Sequence, residues 1–196
     1  MAAPLSDAAL DQLFRTARSY NGYLDRPVTE ADVRAIYDLV KMGPTSANQQ
    51  PARFVWCLSD EAKEKLAGFA SDNNRDKVRR APASVIIAYD REFHEHLPTL
   101  FPHVDARPWF ADPAGREKHG TLNASLQAAY FIVAARALGF DTGPMTGIEA
   151  AGIDGAFFAD QPHTHTLMIA TLGHGDPASV FGRLPRPAFE TFNRVA

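Results

Sequence analysis

Val33, Ile36, Tyr37 and Val40 recur three and four residues apart, the spacing of one face of an α-helix. Thr29 with Asp32 supplies a capping-box start for that helix, and Gly43-Pro44 supplies its end. Leu10, Leu13 and Phe14, behind Ser6 and Asp7 as caps, predict an earlier helix reaching about Ala17. Ser59 heads a third, from Asp60 to about Ala70, followed by a polar segment, Ser71–Arg80. Continuous apolar runs at Arg53–Leu58, Ala83–Tyr89 and Thr166–Leu172 predict strands, the second of them fully buried. Thr121 to Leu138 is rich in Ala, Leu and Gln, is closed by Gly139 and is apolar nearly all round. Such a helix belongs at the centre of a domain or at a subunit interface. A further helix is expected over Ile148–Phe158 and a short one over Ala188–Arg194. Residues 91–120, rich in His, Pro and aromatics with weak periodicity, read as a helical excursion lying over a site.

Helices and strands that alternate in this way favour a three-layer α/β arrangement, with too few strands for a closed α/β barrel. A length of 196 residues with no linker or repeat predicts a single domain, 1–196. The chain is 45% hydrophobic and 22% charged, which is enough for a normal core. A net charge of −3 with scattered basic residues argues against nucleic acid as a partner. No apolar run approaches a membrane span, and Met1–Leu10 lacks the pattern of a secretory signal. The single cysteine, Cys57, excludes an internal disulfide, fits a reducing cytoplasm and reads as a buried small hydrophobe.

The chemistry concentrates in Pro44-Thr45-Ser46-Ala47-Asn48-Gln49-Gln50-Pro51, which holds two prolines, two hydroxyls and three carboxamides in eight residues. Prolines stiffen the backbone and the rest offer neutral donors and acceptors, a set suited to a flat polar heteroaromatic ring. The chain has no Gly-rich dinucleotide turn, no phosphate loop of the Walker type and no nucleophile elbow. Two His-x-His pairs, His94/His96 and His163/His165, could place imidazoles on one strand face. Without further ligand motifs they are read as ordinary histidines, and no metal is expected.

Several segments together resemble the FMN-dependent nitroreductase family. The loop Pro44–Pro51 is similar to its P-S-S-x-N-x-Q-P loop, and Ala17–Tyr23 followed by Pro27-Val28 is similar to its opening R-R-S-x-R-x-F…P-V. The resemblance implies a three-layer αβα sandwich with a mixed central sheet and an intertwined homodimer with FMN at the subunit interface. By position, Arg18, Ser19 and Asn21 would hold the flavin phosphate. Ala17 and Asn21 stand where the family has basic residues, and each lost charged hydrogen bond, worth about 1.5–3 kcal/mol, would weaken FMN about tenfold or more. Arg183, ahead of Leu184-Pro185, or Arg186 is the candidate to compensate. Asn74 and Lys77, one helical turn apart, match the pair the family sets on the flavin pyrimidine. Gly143-Pro144-Met145-Thr146-Gly147 is similar to the segment whose backbone N–H, here that of Thr146, meets flavin N5. Pro44, Thr45, Ser46 and Asn48 would reach the flavin of the other subunit.

Leu100–His103, Asp105–Arg107, Trp109-Phe110, Asp141–Met145 and Arg183–Arg186 are similar to the RutE/HadB-type branch, named for the malonic semialdehyde reductase of pyrimidine utilisation. That likeness implies ping-pong hydride transfer from NADPH or NADH to malonic semialdehyde, giving 3-hydroxypropionate. Arg107 would pair with the substrate carboxylate or, equally, brace its loop on Asp105. His103 would supply a proton, and Trp109 and Phe110 would wall the flavin face. Three alternatives stay open: a broad nitro- or quinone reductase, a non-catalytic flavin-binding or redox-sensing protein, and a metal-dependent hydrolase using the histidine pairs.

Overall fold

A computed structural model describes residues 3–196. Four strands, β1 (Ala52–Cys57), β2 (Ala83–Asp90), β3 (Asp141–Met145) and β4 (Thr164–Gly173), lie in the order β1-β2-β4-β3. All three ladders are antiparallel, and an isolated parallel bridge joins Ser19 to Thr142. Around the sheet run α1 (Asp7–Leu10), α2 (Glu30–Val40), α3 (Asp60–Ala67), α4 (Asp72–Arg80), α5 (Leu97–Leu100), α6 (Pro113–Ala137), α7 (Ala150–Phe157) and α8 (Phe189–Phe192).

Strand β2 makes the layers. Its successive side chains point to opposite faces. Val85 and Ile87 pack with Val33, Ile36 and Val40 of α2 and with Phe131 and Ala135 of α6. Ile86 and Ala88 pack on the other side with Leu66 and Ala67 of α3, Val78 of α4 and Ile153 of α7. Each fully buried Ile or Leu in these layers contributes about 1.5–3 kcal/mol relative to exposure. Cys57 is buried in the second layer, and burial pushes its thiol pKa up to about 11.

The capping box of α2 forms as expected, Thr29 and Asp32 bonding each other's backbone N–H. Three elements depart from the sequence expectation. The long helix begins at Pro113 rather than Thr121, because Asp112 caps it through the Gly115 N–H and Pro113 occupies its first position. The end of the 91–120 excursion is thus part of α6; the remainder is α5 and short 3-10 turns at Phe93–His96 and Arg107–Phe110. The polar segment after Ser71 is a nine-residue helix, α4, with only Val78 buried, and one apolar residue shows no period. Asp141–Met145 is a strand, hidden in the sequence by Gly143 and Pro144, and as an edge strand it tolerates the missing proline N–H. The first helix also widens into a π-helical turn over Asp11–Arg15.

Helix α6 runs the length of the layer, but its apolar surface is not wholly covered within one chain. Leu122 and Leu126 are exposed, as are Tyr37, Leu39 and Met42. No helix among the described residues is long and apolar enough to cross a membrane.

Candidate active site

The opening loop is held by the sheet. The Tyr20 N–H donates to the Thr142 carbonyl at 3.1 Å beside the Ser19–Thr142 bridge. Gly143 permits that approach: a Cβ there would lie 2.6 Å from the Tyr20 carbonyl oxygen and 2.5 Å from Thr171 Oγ1. The close approach that this glycine allows is therefore to the protein's own backbone. Tyr23 locks the same corner through its hydroxyl and Thr171 Oγ1, 2.7 Å apart, and burial raises its pKa.

The C-terminal tail returns across this loop. Arg18 donates to the Phe181 carbonyl, Arg183 to the Ala17 carbonyl at 2.9 Å, and Asn21 Nδ2 to the Ser179 carbonyl at 3.0 Å. Between loop and tail lies a pocket of about 480 Å³ lined by Arg18, Ser19, Asn21, Arg183 and Arg186, all expected from the sequence, and by Arg136, which was not. Arg183 and Arg186, the two alternatives offered by the sequence, both border it. Four guanidinium groups and a serine hydroxyl form a donor set that fits a phosphomonoester dianion. The Arg136 Nε is buried and has no hydrogen-bond partner among the described residues. By donor chemistry, the residues present fit the phosphate of a flavin mononucleotide.

Next to it, Asn21, Tyr23 and Lys77 line a smaller pocket of about 270 Å³. Lys77 Nζ bonds Asn74 Oδ1 at 3.4 Å, and Asn74 Nδ2 reaches the Gly147 carbonyl at 3.4 Å. The Ser71 N–H holds the same carbonyl at 2.9 Å. Asn74 thereby sits against Gly147, with Lys77 bonded to it, just beyond Pro144 and Met145 where β3 ends; Thr146 and Gly147 are exposed.

The Pro44–Pro51 loop belongs to another part of the chain and is anchored along α6. The Ser46 N–H donates to Asn123 Oδ1 at 2.8 Å, Gln127 accepts from the Ala52 N–H at 2.9 Å and donates to Gln50 Oε1 at 2.7 Å, and the Tyr130 hydroxyl donates to the Pro44 carbonyl at 2.8 Å. Gly43 lets Tyr130 close in, since a Cβ there would overlap its ring. Residues 123, 127 and 130 lie on one helical face, so the spacing of these three polar residues in an apolar helix was a readable signal that the sequence reasoning missed. From Asn123 to Arg136 the helix rises ~20 Å. Within one chain the loop's anchors thus lie between ~9 Å (Tyr130) and ~20 Å (Asn123) along the helix from Arg136. Thr45 Oγ1 accepts from the Gln50 N–H, and Asn48 Nδ2 donates to the Leu100 carbonyl at 2.8 Å, so both side chains brace the loop itself.

The excursion holds the proposed substrate groups. Arg107 makes a two-pronged pair with Asp105, Nε to Oδ1 at 2.9 Å and Nη2 to Oδ2 at 2.8 Å, the loop-brace arrangement. The guanidinium holds the Asp105 pKa down to about 2. His103 is exposed, its ring edge-on to Phe101. Trp109 is 61% exposed, whereas Phe110 is buried against Phe93 and His119 and fills a small core under the excursion. His94 and His96 lie on a 3-10 turn, which removes the common strand face assumed for them, and only His94 is buried. Glu92, His94 and Glu95 bring ligand atoms within 4.8 Å of one another, but Arg116 donates to Glu92 at 3.1 Å and lies 3.4 Å from His94 Nε2, so a guanidinium already supplies the positive charge there.

These features define a flavin-type oxidoreductase fold, and the comparisons agree. The Nitroreductase family pattern matches residues 14–174. A Stenotrophomonas maltophilia protein with the provisional name NADH dehydrogenase/NAD(P)H nitroreductase is 53% identical over 197 residues, covering 100% of both chains. A Bacillus subtilis crystal structure described provisionally as a nitroreductase superposes with a TM-score of 0.88 at 23% identity, covering 97% of this chain and 100% of that one. A similarly described Exiguobacterium sibiricum protein, solved in complex with FMN, gives a TM-score of 0.85 at 19% identity over 100% of both chains. The chain belongs to the nitroreductase family, and its enzyme class is that of flavin-dependent NAD(P)H oxidoreductases.

Proposed function

We propose that the protein is an FMN-dependent NAD(P)H reductase of broad acceptor range, acting on nitroaromatic and quinone compounds. The observation that carries this reading is the gathering of Arg18, Ser19, Asn21, Arg183 and Arg186 around one pocket, with Asn74, Lys77 and the Met145–Gly147 segment beside it. The name of the Stenotrophomonas relative, an NAD(P)H nitroreductase, supports the acceptor class. When bound, FMN supplies the two-electron chemistry. The chain's own contribution is to bind and orient it: the arginines and Ser19 on the phosphate, Asn74 and Lys77 on the pyrimidine side, and the Thr146 N–H towards N5.

The reading includes a cytoplasmic homodimer in which Pro44, Thr45, Ser46 and Asn48 complete the partner's site. Its support is the separation of that loop from the arginine pocket along α6 and the exposed apolar residues Leu122, Leu126, Leu39 and Met42. A second reading, reduction of malonic semialdehyde in pyrimidine degradation, is favoured by the branch-like segments Leu100–His103 and Asp105–Arg107. In it Arg107 would leave Asp105 for the substrate carboxylate, and His103 would donate the proton.

Turnover of nitrofurazone, menadione and malonic semialdehyde, measured side by side with NADH and NADPH, tests both. Faster reduction of the first two supports the main reading, and selective reduction of the semialdehyde replaces it with the second. Bound FMN that neither nicotinamide bleaches anaerobically would instead mark a non-catalytic flavin protein.

A further inference from the structure

We propose that Arg136, at the last turn of α6, is a phosphate-binding residue that replaces the basic residues missing at positions 17 and 21. The inference rests on the FMN reading above and adds a group outside the segments that carry it. Arg136 borders the pocket formed by Arg18, Ser19, Asn21 and Arg183. Its direction is fixed from behind, where Nη1 donates to the Leu13 carbonyl at 3.0 Å. Gln12 in turn donates to the Arg136 carbonyl, tying the opening helix to the end of α6.

The side chain is partly buried yet forms no ion pair with a carboxylate among the described residues. Burial is the main influence and lowers its pKa; the Asp141 carboxylate nearby raises it and the neighbouring Arg183 lowers it, so burial leaves the charge only partly compensated. Its Nε is buried without an acceptor. A partly buried cation that borders the pocket, held from behind by one backbone carbonyl and with the Arg183 guanidinium nearby, is placed for a dianion in that pocket. A phosphomonoester offers the several acceptor oxygens needed to take N–H groups from Arg136, Arg18 and Arg183 together. Ala17 is small and Asn21 is turned to the Ser179 carbonyl, so neither supplies charge to the same wall.

FMN and riboflavin differ only in the phosphate, which makes their affinity ratio the direct test. Both are titrated into flavin-free full-length protein and followed by flavin fluorescence. Arg136→Gln is expected to weaken FMN by about tenfold or more and leave riboflavin unchanged, and Arg136→Lys, which keeps the charge, to lie between. Arg34→Gln, whose arginine pairs with Glu30 on the surface, should leave the ratio as it is. Equal loss of both flavins in the Arg136 variants would make the residue a structural brace and overturn the proposal, as would an unchanged ratio. If Arg136→Gln does not fold, the Lys variant carries the same comparison. Wild-type protein that takes up neither flavin would defeat the FMN reading itself, an outcome distinct from a flavin-binding wild type with an unchanged ratio in the variants.

Discussion

The arginine pocket and the Pro44–Pro51 loop, the two regions assigned to the flavin in the proposed function, are held in place by opposite means. The pocket is charged, assembled from sequence-distant segments and fastened by guanidinium-to-carbonyl bonds at the surface. The loop is neutral, continuous in sequence and fastened by buried or half-buried carboxamides of one helix. The loop is also the strained region: Ala47, Asn48 and Gln50 have φ of 49°, 48° and 41°, and Gln49 is fully buried with neither side-chain atom bonded in the chain. Left-handed backbone at non-glycine residues costs of order 1–3 kcal/mol each, so the α6 anchors are needed to hold it. The contrast teaches that charge can be gathered from loose segments, whereas an uncharged surface has to be held in shape by its support.

The largest effect expected from that contrast is on the loop. Gln127→Ala leaves the buried Ala52 N–H without its acceptor and Gln50 without its donor, and should lower unfolding free energy by about 2–4 kcal/mol in urea melts. A loss under about 1 kcal/mol would mean the anchors are incidental. Gly143→Ala attacks the backing of the pocket instead. Its Cβ collides with the Tyr20 carbonyl and Thr171, and overpacking of this kind costs about 1–3 kcal/mol, visible as a lower thermal midpoint. An unchanged midpoint would show that the opening loop yields freely.

Salt should separate the two regions without mutation. Raising it from about 0.1 M to 1 M shortens the Debye length from ~10 to ~3 Å. FMN affinity should then fall severalfold while riboflavin affinity, which relies on the neutral surfaces, holds steady. Parallel loss of both would dissolve the distinction.

The smallest expected effect concerns Arg107. Asp105 titrates near pH 2 in the folded chain because Arg107 pairs with it, below the ordinary carboxylate value of ~3.9. Its folded pKa is depressed, so the contribution of the pair is present above about pH 4 and fades as pH falls towards 2. Arg107→Ala should return the Asp105 midpoint, followed by carboxyl NMR, to the ordinary range with little change in stability at neutral pH. The same variant should raise the Michaelis constant for malonic semialdehyde far more than for menadione if Arg107 serves the second reading; equal effects would leave it a brace.

Legibility followed the physics of each segment. Helix α2 and strands β1, β2 and β4 were readable because burial imposes a period or an apolar run, and the cap chemistry of Thr29 is local. Strand β3 was not, because an edge position needs neither a full set of N–H donors nor apolar side chains, and Gly143 and Pro144 read as a loop. Helix α4 was recognised only as a polar stretch with a helical turn, since one buried residue carries no periodicity. In the site, the short motifs identified the pocket-lining residues near the ends of the chain, but Arg136 lies inside a helix that read as core. Nothing local distinguishes an arginine closing a helix from one lining a pocket; the return of the tail past Arg136 places it in the lining. Phe110, an aromatic expected to wall the flavin face, lies in a small core within the single chain, a burial that weak local periodicity did not signal.

The strap between the two ends of the chain has a consequence for biogenesis. Ala17 and Arg18 are made early, but the carbonyl and guanidinium they bond, Phe181 and Arg183, come more than 160 residues later. Both walls of the pocket are present only once the segment carrying Phe181 and Arg183 has been made, so a chain interrupted before Phe181 would lack one side of it.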